Sequence, residues 1–154
     1  MKLYLVQHGE ALPKEINSDR PLSDQGRQDL EQFARFLAGR GIRVSRVWHS
    51  GKTRARQTAE LLAAAVAPGM KTEARAGLAP NDPAEAFAET LVALREDTMV
   101  VGHLPFMARL VTHLVAKSDG GTTVAYLPGS IVCLESDEDG AWAIAWMLRP
   151  ELMC

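Results

Sequence analysis

The sequence predicts an α/β fold with a largely parallel central sheet flanked by helices. Three observations predict it. Short apolar runs alternate with segments of helical periodicity, the pattern of right-handed β-α-β crossovers. The runs Leu3–Val6 and Thr98–Val101 are apolar throughout rather than every second residue, as in strands covered on both faces. The tail differs: Ser130–Glu135 and Ala141–Leu148 flank Asp137-Glu138-Asp139-Gly140, which reads as a hairpin adding antiparallel strands at one edge.

The elements follow in order. Leu3–Val6 is the first strand, and residues 10–22, with two prolines and Asn17-Ser18-Asp19, form a loop. Ser23 caps a helix whose apolar face is Leu30, Phe33, Ala34 and Leu37, and Gly39 and Gly41 stop it. Val44–His49 is a second strand. Thr53 is the expected cap of a second helix, with Leu61, Leu62 and Ala65 as its apolar face and Pro68-Gly69 at its end. Lys71–Ala74 is a short strand, Gly77–Pro83 a connection and Ala84–Leu94 a helix. The strand Thr98–Val101 runs through Gly102-His103 into a helix that includes Leu110 and Leu114. In the last strand Trp142, Ile144, Trp146 and Leu148 are expected to alternate onto one face, with both tryptophans in the core.

Bulk properties narrow the function. A chain of 154 residues with 47% hydrophobic and 23% charged residues suits a single domain spanning 1–154 and rules out disorder as its main state. A net charge of -2 argues against nucleic acid as a partner. No apolar run approaches the roughly 18 residues of a membrane span, and no signal peptide is read at the start, so the expectation is a cytoplasmic protein with no membrane partner. Cys133 and Cys154 form neither a ligand pair nor a disulfide framework and are read as reduced thiols. No metal and no cofactor are expected.

The chemistry-bearing residues stand at strand ends, where ligands bind in open α/β sheets. The first strand ends in Gln7-His8-Gly9, the second in His49-Ser50 with Arg54 shortly after, and a later one in Gly102-His103. His8, Arg54 and His103 are therefore expected in one crevice, where two imidazoles, a guanidinium and a helix start make an anion site suited to a phosphoryl group. Imidazole is a competent nucleophile toward phosphorus near neutral pH. His8 would attack in line, with the Gly9 carbonyl accepting its Nδ1 proton. Arg54 would clamp the equatorial oxygens, His103 would donate a further hydrogen bond, and water would release phosphate. His49 is read as a pocket wall at most, and His113 as a core or boundary residue.

Several stretches resemble the histidine phosphatase superfamily, and more narrowly its short SixA-type phosphohistidine phosphatases: LVQHGEA (5–11), DRPLSDQGR (19–27), HSGKTRARQTAE (49–60), GLAPNDP (77–83), VVGHLPFMARLV (100–111) and PGSIVCLE (128–135). The resemblance spans almost the whole chain. It implies the superfamily's three-layer α/β sandwich, with His8 as nucleophile and Arg54 and His103 in the phosphate pocket. It also implies a phosphohistidine-bearing protein as substrate, or else phosphate or a phosphorylated small molecule. One position departs from the pattern. The family's arginine before the histidine is Gln7 here, and glutamine offers only neutral hydrogen bonds in place of a charged fork. Such a loss is worth on the order of 2 to 4 kcal/mol of transition-state stabilisation, or roughly 30- to 1000-fold in rate. Arg20 is the candidate to restore the charge; pairing with Asp19 is its alternative. Gln7, Gly9, Arg20, Arg54 and His103 are thus the expected phosphate-binding set. No motif supplies a general acid; Asp82 and Glu85 are the nearest candidates. That gap favours a phosphoramidate, whose imidazole leaving group needs less help, over sugar phosphates. The alternatives are a small-molecule phosphomonoesterase, and a phosphate-binding module of weak or no activity.

Overall fold

Five consecutive buried residues, Leu3 to Gln7, put the first strand in the middle of the sheet. The computed structural model describes residues 1–118, 120–121 and 123–153; Cys154, read as a reduced thiol, lies outside them. The elements are β1 (Lys2–Gln7), α1 (Asp24–Gly39), β2 (Arg46–His49), α2 (Thr53–Val66), β3 (Glu73–Ala74), α3 (Ala84–Leu94), β4 (Thr98–Gly102), α4 (Phe106–Ala116), β5 (Ile131–Ser136) and β6 (Trp142–Leu148). The sheet order is β3-β2-β4-β1-β5-β6. β1, β2, β3 and β4 pair in parallel; β5 and β6 add antiparallel strands at one edge.

The alternation of β1 builds two cores. Tyr4 and Val6 pack with Leu30, Phe33 and Leu37 of α1 and Ala55, Ala59 and Leu62 of α2. Leu3 and Leu5 pack with Phe87 and Leu91 of α3 and Phe106, Leu110 and Leu114 of α4. Helices therefore cover both faces, giving three layers. Each such large side chain contributes about 1.5–3 kcal/mol by leaving water. Cys133 is a free, buried thiol within this core.

α1 is bounded as its sequence dictates. Ser23 Oγ accepts the Gly26 N–H at 3.0 Å. At the other end the Ile42 N–H reaches Leu37 O and the Gly41 N–H reaches Ala38 O, with Gly41 at φ +70°, a Schellman stop that needs a left-handed residue. The start of α1 also presses on the chain leaving β1. A Cβ on Gly26 would lie 2.2 Å from Glu10 O.

Four expectations change. Thr53 is the first residue of α2 and Lys52 its cap, with no side-chain cap bond. The buried face of α2 runs through Ala55, Ala59, Leu62, Ala63 and Val66, leaving Leu61 and Ala65 half-buried, because α2 packs against both the sheet and α1. β2 starts at Arg46 because the N–H groups of Val44 and Ser45 bond to Val66 O and Asp97 O. Finally, β6 does not keep one apolar face. A register shift between Cys133 and Leu134 pairs them with Trp146 and Ile144, leaving Ala145 as an extra residue. A bulge of one residue swaps faces. Trp146 and Leu148 reach the α1/α2 core, Trp142 the opposite one, and Ile144 is 41% exposed. Both tryptophans are half-buried at the edges of their cores.

Gly26→Ala should lower unfolding free energy by about 1–3 kcal/mol, the usual range for overpacking. Gly39→Ala, with no atom within 4 Å of the added Cβ, should raise it by up to about 1 kcal/mol through helix propensity. Urea titration of the two variants checks both signs.

Candidate functional site

His8 is the first residue past β1. Its backbone is fixed from two sides: its N–H donates to Gly102 O at 3.0 Å, and its carbonyl accepts from Gly129 N at 2.9 Å. The side chain is fixed by its neighbour, with Nδ1 at 2.8 Å from Gly9 O. A carbonyl only accepts, so Nδ1 carries the proton and Nε2 presents its lone pair. The Arg54 Nε–H points at that nitrogen from 3.4 Å. Burial pushes the His8 pKa down to about 4; the Gly9 carbonyl opposes this, and Arg54 and Arg20 add to it. The imidazole is therefore neutral at pH 7.

Arg54 stands in the first turn of α2. Two further residues of that helix lock the region. The Thr58 hydroxyl donates to Arg54 O at 2.7 Å and accepts the Gly9 N–H at 3.0 Å. Gln57 Oε1 accepts the Leu22 N–H at 2.8 Å, tying down the end of the 10–22 loop. Gly9 thus directs its N–H at Thr58 and its carbonyl at His8. An added Cβ there would lie 2.7 Å from Leu30 Cδ1 and 3.1 Å from Leu22 Cδ2, so a side chain at this position would have to displace buried leucines.

His103, one residue past β4, brings its ring centroid to 5.1 Å from that of His8. Its Nε2 lies 2.6 Å from Ser50 Oγ, while its Nδ1 is buried without a partner. Burial, then His8, Arg54, Lys52 and Arg20, push its pKa down to about 3. Arg20 sits at φ +48° with its Nε donating to Leu12 O at 3.2 Å. It forms no ion pair with Asp19, and its charge bears on His8, Arg54 and His103 alike. Gln7 is buried. Its backbone bonds to Ser130 and Gly129, and its side-chain Oε1 has no partner.

His49 accepts the Gly51 N–H on Nδ1 at 3.0 Å, shaping the turn that carries Ser50. Asp82 accepts the Ala79 N–H at 2.9 Å. With Glu85, Arg109 and His113 it lines a separate cleft of about 360 Å³. The charged side chains that bear on the two imidazoles are cations, Arg20, Arg54 and Lys52. Among the described residues no three His, Cys, Asp or Glu side chains are grouped to hold a metal ion. No helix is long and apolar enough to cross a membrane.

The structure thus brings together His8, Arg54, His103 and the charge of Arg20. Sequence reasoning missed Ser50, Gln57 and Thr58. The last two were findable as the i+3 and i+4 neighbours of Arg54 on one helical face.

Two neutral imidazoles ringed by cations, at the carboxyl edge of a mostly parallel sheet, define an α/β protein built to receive an oxyanion. A family model for the histidine phosphatase superfamily (branch 1) matches residues 3–79, half of the chain, and the chain belongs to that superfamily. Membership supports a phosphatase. Phosphohistidine phosphatase SixA of Escherichia coli (strain K12) is 27% identical over 155 aligned positions, covering 97% of this chain and 94% of that one. An uncharacterized Picosynechococcus protein is 35% identical over 112 positions, 68% of this chain and 67% of its own. The structure of the protein histidine phosphatase SixA complexed with tungstate superposes with a TM-score of 0.87 at 26% identity, over 100% of both chains.

Two outcomes are expected. Both histidine pKa values are depressed below the ordinary 6.5, so the unfolded chain binds the extra protons. Stability should be full above pH 6.5 and fall as pH drops from 6.5 toward about 4, and His8→Ala should flatten that slope in urea titrations. Thr58→Val should cost about 1–3 kcal/mol by leaving the Gly9 N–H unpaired, with a correlated loss of the His8 Nδ1 proton signal in NMR spectra.

Proposed function

We propose that the protein is a metal-independent phosphohistidine phosphatase that works through a transient phosphohistidine on His8, with no cofactor. The observation that carries this reading is the fixed His8 tautomer, whose Nε2 is unprotonated and accepts only a long 3.4 Å bond from Arg54 Nε. The Nε2 lone pair attacks phosphorus in line. The P–N bond to the substrate imidazole, which carries a proton on its other ring nitrogen, breaks as the new Nε2–P bond forms, and the electron pair leaves with the now neutral imidazole. Water then attacks phosphorus, the Nε2–P bond breaks, and phosphate departs. Arg54 and His103 hold the equatorial oxygens, and Gly9 holds the nucleophile. Arg20 supplies the charge that Gln7 lacks, and Gln7 contributes a neutral hydrogen bond.

The missing acid supports the substrate class. Asp82 is occupied with Ala79 and lines a different cleft with Glu85. A leaving group that departs without a carboxylic acid is a phosphoramidate imidazole rather than an alkoxide. Similarity to SixA, named a phosphohistidine phosphatase, supports a phosphohistidine-bearing protein as substrate, and the tungstate bound in the SixA structure supports an oxyanion in the pocket. One observation favours a second reading. The uncharged, buried Gln7 suits a protein that binds phosphate with little turnover.

Phosphate release from a phosphohistidine peptide, in the presence of chelator, decides. Wild type should turn over and His8→Ala should not; equal rates would sink the reading. Gln7→Arg should raise the rate by roughly 30- to 1000-fold. Faster release from sugar or nucleotide phosphates would favour the phosphomonoesterase. Binding without release would favour the binding module.

A further inference from the structure

We infer that Lys52 and Leu104 form a rim beside the pocket that selects phosphohistidine carried on a protein segment with a neighbouring carboxylate. The inference rests on the reading of the site above and names the partner's chemistry. β2 and β4 are paired neighbours, with His49 opposite Val101, so the chains leaving them emerge side by side. The first turn carries Ser50, whose hydroxyl lies 2.6 Å from His103 Nε2 and accepts the Lys52 N–H at 3.3 Å. The second carries Leu104, the residue after His103 and 37% exposed. Both residues therefore stand on the adjoining chain segments that leave β2 and β4 beside His103.

The charge is available to a partner. Arg56, one turn along α2, is matched by Glu60 at 3.3 Å. Lys52 is exposed and makes no ion pair among the described residues, and its ammonium is near enough to bear on His103. In a chain of net charge -2, this corner is a local attraction for a carboxylate. The apolar part argues for a protein. A phosphorylated small molecule fills the pocket and leaves Leu104 in water, whereas a polypeptide carrier covers it. The 10–22 loop, whose Arg20 bears on both imidazoles, offers a second exposed apolar side chain, Ile16, at 70%.

The test uses three probes: a phosphohistidine peptide flanked by glutamates, the same peptide flanked by glutamines, and N-phosphoimidazole. Wild type should favour the acidic peptide about fivefold in kcat/KM, the upper range for an exposed ion pair, with the preference gone near about 0.5 M salt. Lys52→Gln should erase the preference and Lys52→Glu reverse it, read as the ratio of the two peptides' kcat/KM, with N-phosphoimidazole reporting any common loss from the missing charge beside His103. Leu104→Ser should raise KM for both peptides at constant kcat. Equal treatment of the two peptides by wild type, or a peptide ratio unchanged in the Lys52 variants, would overturn the rim. If wild type hydrolyses none of the probes, the phosphatase reading fails. The same peptide pair built with a stable phosphoryl-triazole then decides the rim by Kd: tighter binding of the acidic peptide, lost in Lys52→Gln, supports it, and equal binding overturns it.

Discussion

One hydrogen bond organises the site: the His8 Nδ1–H to the carbonyl of Gly9. It fixes which nitrogen is bare, and so which atom meets an electrophile. The bond holds because the backbone around it has little freedom. His8 is tied to β4 and to the turn before β5, and the Gly9 N–H is tied to Thr58 of α2. α1 closes on Gly9 from above, through Leu30, and on Glu10, through Gly26. Four segments of the chain thus converge on His8, Gly9 and Glu10. A histidine with free rotation would lose much of its reactive population to the other tautomer and other rotamers.

Electrostatics then follow from burial. Two imidazoles 5.1 Å apart beside two guanidiniums could not both charge without strong repulsion, and removal from water disfavours the charged form of each. The site is therefore a cluster of neutral rings within a cationic frame. On the proposed reading, an oxyanion is attracted by Arg20 and Arg54 and meets an Nε2 that needs no deprotonation. Substituting glutamine for arginine at position 7 removes one cation from that frame. The burial of Gln7, with Oε1 unpartnered, places the change inside the structure rather than at its surface.

Much of this was legible from residue order. The apolar runs specified buried strands. Ser23, Gly39 and Gly41 bounded α1, and the strand-end positions of His8, Arg54 and His103 marked one edge of the sheet. Misreadings arose where a side chain's environment comes from remote segments. The α2 face turned because two neighbours, not one, compete for it. The β6 alternation failed because a bulge depends on the partner strand. Ser50 gave no signal, since its significance is a 2.6 Å contact with a residue 53 positions away.

The sequence by itself determined the architecture and the chemical inventory. Hydrophobic periodicity is a local property, and so is the histidine-glycine step that lets a carbonyl fold back on its own imidazole. The tertiary structure alone decided that the charge of Arg20 bears on His8, Arg54 and His103 instead of pairing with Asp19, that Asp82 and Glu85 line another cleft, and which way the last tryptophans point. Each of these is set by the distance between residues far apart along the chain, and only the packing of helices on the sheet fixes those distances.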